Sequence, residues 1–127
     1  MFDKFFSLKE ANAKLPVVKG IVAEILERGK RLRDLLENTK EGTEAQVEAL
    51  SEEIEKYIAQ LEDMGCFYKD WNFEIGLVDF PCKIDGEEVF LCWRSDEGEV
   101  LWFHGVEDGY AGRRPLPAEW LLGDLFK

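Results

Sequence analysis

The feature that most constrains this chain is a change of hydrophobic period near Gly65. Before that point apolar residues recur every three or four positions, the spacing of one helix face. After it they alternate, the spacing of a strand with one face in a core. Val47, Leu50, Ile54, Tyr57, Leu61 and Met64 keep the three-four rhythm without a lapse. Val18, Val22, Ile25, Gly29, Leu32 and Leu36 trace a second such seam, widened by Ile21, Leu26 and Leu35. Both seams have the spacing that helices use to pack on one another.

Local signals set the element ends. Ser7 with Glu10 is a capping box, which opens a short helix over Leu8 to Lys14. Leu15 precedes Pro16 and is disfavoured as helix, whereas Pro16 suits the first position of a new, longer helix. Asn38 to Gly42 reads as a turn, Thr43 with Gln46 as a second capping box, and Gly65 as a helix terminator. So short a connection makes the two long helices antiparallel. Gly29 lies mid-seam, where glycine costs ~1 kcal/mol against alanine. A close approach of another helix is expected there.

In the second half, Asp85-Gly86 flanked by apolar residues is a strong two-residue hairpin signal. It sets Ile84 opposite Glu87, Cys82 opposite Val89, Phe80 opposite Leu91 and Val78 opposite Trp93, an apolar face for the helices to cover. The other face carries Asp79 against Cys92 and Leu77 against Arg94. Ser95 to Gly98 reads as a turn and Glu99 to His104 as a third strand. Pro117-Ala118-Glu119 can open one last helical turn, and Trp120, Leu121, Leu122, Leu125 and Phe126 form an apolar tail over open core. The expected fold class is α+β. A long-helix hairpin with a short N-terminal helix packs on a three-stranded antiparallel sheet, in one domain over 1–127 that divides into 1–65 and 66–127.

Charge and composition exclude several functions. The net charge of −11 repels phosphate backbones and anionic membranes, so neither nucleic acid nor a membrane is expected as a partner. The opening Met1 to Phe6 is apolar but short and contains Asp3, unlike a signal peptide. Val17 to Leu26, the best apolar run, is broken by Lys19 and Glu24 and cannot span a bilayer. The expected compartment is the cytoplasm. Cys66, Cys82 and Cys92 lack C-x-x-C spacing, and one histidine cannot complete a Cys/His zinc site, so the thiols read as buried and reduced. No cofactor motif appears.

The candidate chemistry is sparse. Asp79 and Arg94 share a face as diagonal neighbours, close enough for a charge-assisted contact. His104 is the only histidine and the one side chain that titrates unperturbed near neutral pH. Hairpin parity puts it with Leu91 and Trp93, opposite Asp79, unless an odd loop reverses the face. A metal at His104 and Glu107 is conceivable at a weakly specific spacing. The run Gly109 to Pro115 combines two glycines with Arg113 and Arg114, so it reads either as an anion-binding turn or as arginines paired with the chain's own carboxylates. Asp96, Glu97 and Glu99 lack an EF-hand pattern and read as a solvated turn. Cys92 lies between Leu91 and Trp93, an apolar setting that makes a thiol less acidic.

Three segments of the C-terminal half resemble a known family. They are Gly76-Leu77-Val78-Asp79-Phe80-Pro81, Leu91-Cys92-Trp93-Arg94, and His104 followed by Gly109-Tyr110-Ala111-Gly112-Arg113. Together with Phe6 to Asn12 and Leu15-Pro16, they are similar to the prokaryotic domain of unknown function 2203. Phe103 stands where that family usually has tryptophan, and Arg114 where glutamine is common. The resemblance implies no activity. It nominates Asp79, Cys92, Arg94, His104 and Arg113 as signature polar positions and candidate ligand-binding residues. Two functions are then in competition. The leading one is a non-enzymatic module whose hairpin self-associates or holds a partner helix. The other is an enzyme or small-ligand binder in which Asp79, Arg94, His104 and Arg113 form a site for an anionic or metal-linked ligand.

Overall fold

The computed structural model describes residues 2, 4–38 and 43–120. Most of the turn expected over Asn38 to Gly42, and Leu121, Leu122, Leu125 and Phe126 of the tail, lie outside these residues.

Helix α1 runs over Leu8–Glu37 and α2 over Glu44–Met64. The Ser7 capping box forms as expected: Glu10 N–H donates to Ser7 Oγ and Ser7 N–H to Glu10 Oε1, each at 3.0 Å. Thr43 instead takes helical backbone angles and makes no side-chain cap. Gly65 closes α2 in the left-handed conformation. Arg28 Nε donates to Glu53 at 3.1 Å and Tyr57 OH to Glu24 at 3.3 Å, contacts that fix the helices as an antiparallel hairpin.

The expected break at Leu15-Pro16 is absent, and the short N-terminal helix is the first part of α1. Packing overrides the local preference. Leu8, Ala11, Leu15 and Val18 are all buried along one helix face, and ending the helix at Lys14 would turn that face out of register.

The sheet is a five-stranded antiparallel meander rather than a three-stranded one: β1 Phe67–Tyr68, β2 Leu77–Ile84, β3 Glu87–Arg94, β4 Trp102–Gly105 and β5 Arg114–Pro115. The two added outer strands have two residues each, too short for alternation to register. The β2–β3 register matches the sequence reading at every pair, from Leu77 opposite Arg94 to Ile84 opposite Glu87. Asp85 and Gly86 both have positive φ, as a tight hairpin requires. Pro81 is tolerated inside β2 because β1 pairs only as far as Val78 and Asp79. The Pro81 carbonyl on that open edge accepts from Phe6 N–H at 2.7 Å.

The helices cover the face carrying Val78, Phe80, Cys82, Val89, Leu91 and Trp93, all buried. Gly29 does meet a close neighbour, but it is the Phe73 ring of the β1–β2 connection and not another helix. Phe73 itself has positive φ. The buried Asp70 carboxylate holds this connection by accepting from the N–H groups of Asn72, Glu74 and Ile75. No described helix is long and apolar enough to cross a membrane.

Candidate functional site

The β3–β4 connection, residues 95–101, decides the site. Glu97 folds back on the end of β3: Trp93 Nε1 donates to its carbonyl at 2.9 Å, and Arg94 N–H to its carboxylate at 2.8 Å. Val100 is buried, and its N–H donates to Asn12 Oδ1 of α1 at 2.7 Å. These anchors take up residues that alternation assigns to the strand, so β4 begins at Trp102 rather than Glu99. The connection then has an odd number of residues, and the face assignment reverses. His104 lies opposite Phe90, not on the side of Leu91 and Trp93.

That reversal brings Asp79 of β2, Cys92 of β3 and His104 of β4 together on the face away from the helices. Their ligand-capable atoms all lie within 4.8 Å of one another. Asp79 is 4% exposed, Cys92 1% and His104 2%. The imidazole Nδ1 donates to the Gly105 carbonyl at 2.7 Å, and Nε2 lies 3.1 Å from Asp79 Oδ1. Burial by itself lowers the His104 pKa. Asp79, the Cys92 side chain and the Gly105 carbonyl outweigh it and push the value up to about 10.

These three side chains line a cavity of about 240 Å³. Buried Phe90 and half-buried Leu77 flank them, and exposed Lys69, Val106, Gly109 and Tyr110 complete the lining toward solvent. Alternation alone does not single out these six companions, since four lie outside the strands, where the path of the chain depends on tertiary contacts.

The other nominated residues stand beside the cavity. Arg94 makes no ion pair with Asp79 among the described residues; its guanidinium is taken by Asp96 and the Tyr110 hydroxyl. Arg113 donates through Nη2 to Glu97 at 2.8 Å and to the Cys92 carbonyl at 3.2 Å, with its plane over Trp102 and Tyr110. Both arginines therefore position cavity residues rather than line the cavity. Arg113 is paired with an internal carboxylate, as one of the two readings of the glycine-rich run expects. Asp96 and Glu99 are exposed, as a solvated turn expects, while Asp96 pairs with Arg94 and the largely covered Glu97 with Arg113. Glu107 is exposed and does not join the His104 group. Cys92 has polar neighbours in Asp79 and His104, a setting that its sequence neighbours Leu91 and Trp93 conceal. Cys66, Cys82 and Cys92 are all buried, as the sequence reading expects.

The family model described as an uncharacterized conserved protein, DUF2203, matches residues 4–116. No curated protein and no solved structure matches the chain.

Proposed function

The chain belongs to the DUF2203 family, and we propose that it is a small-ligand-binding domain whose site is the cavity on the outer face of the sheet. The ligand class is anionic or metal-linked. One observation carries this reading: Asp79, Cys92 and His104, from three adjacent strands, converge nearly fully buried on a single cavity. Stability does not explain the arrangement. A buried ion pair is commonly no more stabilising than apolar residues of similar volume. Outer-face positions on a sheet with a separate apolar core have no need of it.

The hairpin reading loses most of its surface. Leu50, Ile54 and Leu61 of the α2 seam are buried, and Val47, Tyr57 and Met64 partly so. On α1 the large exposed apolar side chains are Val17 and Leu36, each 56% exposed. Their separation of nineteen positions, 36 minus 17, puts them far apart along the helix.

A thermal-shift screen of metal ions, phosphate and small carboxylates, run on the full chain and on Asp79→Asn, tests the proposal. A probe that raises the Tm of the parent and not of the variant is the expected result. Equal responses throughout, together with sedimentation as a dimer, would return the hairpin module to first place.

A further inference from the structure

We propose that Asp79, Cys92 and His104 are the three protein ligands of a divalent transition-metal ion of the zinc class, with a further coordination position open to the cavity. This rests on, and deepens, the ligand-binding reading above. The donor set is one thiolate sulfur, one imidazole nitrogen and one carboxylate oxygen. That mixture suits zinc and its borderline neighbours and does not suit magnesium or calcium, which select oxygen. Two anionic ligands cancel the charge of the ion, which a buried site requires.

The orientation of His104 separates this reading from a Cys-His-Asp proton relay. A relay uses both ring nitrogens, one toward the nucleophile and the other toward the carboxylate. Here Nδ1 is already committed to the Gly105 carbonyl. A carbonyl can only accept, so Nδ1 carries a proton and Nε2 alone faces Asp79 and Cys92. A backbone carbonyl on the far nitrogen is also the usual second contact of a metal-bound histidine. The 3.1 Å between Nε2 and Asp79 Oδ1 is close to the edge of a tetrahedron with bonds of about 2 Å, roughly 3.3 Å. Because the three ligands line the cavity, a ligand entering it meets the ion at the open position.

The test is titration of chelator-stripped full-length protein with zinc against a chromophoric competitor, and with cobalt followed by absorption. One equivalent should bind, with a sulfur-to-cobalt charge-transfer band in the near ultraviolet. The band should persist in Cys66→Ser and Cys82→Ser and vanish in Cys92→Ser. Zinc affinity should fall more than about 100-fold in Asp79→Asn and His104→Gln, beyond what loss of an outer-shell partner costs. Circular dichroism of each variant shows which are folded, and Asp79→Asn, nearly isosteric, keeps the test available if others unfold. A cobalt band that survives Cys92→Ser, or a folded parent that takes up neither ion, overturns the metal assignment. If the parent takes up neither ion yet binds phosphate or a carboxylate through Asp79, the cavity remains a ligand site and only the metal is lost. Metal uptake as described with no response to phosphate or carboxylates keeps the metal and removes only an anion at the open position.

Discussion

The two faces of the sheet follow one rule of alternation yet hold opposite contents. The inner face presents Val78, Phe80, Leu91 and Trp93 to the helices, and all four are buried among apolar partners. The outer face buries Asp79, Cys92 and His104 just as completely, but against each other and a cavity. Burial therefore means different things on the two sides. Inside, it removes apolar surface from water, the main favourable contribution to folding. Outside, it holds polar groups in a fixed geometry at a cost to stability, which on our reading is retained for ligand binding.

Substitutions can sharpen or break this contrast. Phe80→Ala should have the largest effect, a loss of about 3–5 kcal/mol in urea unfolding, because the ring is fully buried and packs edge-on against Phe6. The paired replacement Asp79→Val with His104→Leu should leave the metal-free protein equally stable, or up to about 4 kcal/mol more stable. The same pair should abolish zinc uptake. If it unfolds the protein, the outer face is structural and the contrast fails. Gly29→Ala should cost about 1–3 kcal/mol by overpacking the helix against Phe73, with ligand binding unchanged. Tyr110→Phe should cost least, a barely measurable drop in the urea midpoint because its hydrogen bond to Arg94 is exposed, and should loosen the cavity mouth.

The inner face was legible in the sequence, and the outer site only in part. Asp85-Gly86 specifies its turn through local backbone preference, so every β2–β3 pair could be read from it. That pairing also put Asp79 opposite Cys92. Alternation puts His104 on the wrong face because parity across the β3–β4 connection depends on tertiary contacts, the Val100 bond to Asn12 and the Glu97 clamp on Trp93 and Arg94. No local pattern reports a bond between residues 88 positions apart. Pro16 failed as a helix breaker for a related reason: local preference lost to the burial of Leu8, Ala11 and Leu15. The expected Asp79–Arg94 contact shares the right face but not the right partner. His104 engages Asp79, while Asp96 and Tyr110 engage Arg94.

Because His104 is the single histidine, its ring nitrogens can be followed by nitrogen-15 NMR without ambiguity. Our account predicts that adding one equivalent of zinc to stripped protein moves the Nε2 resonance to a metal-bound position while Nδ1 stays protonated against Gly105. A ring spectrum that no metal ion or anion alters would contradict the claim that the outer face of the sheet is a binding site.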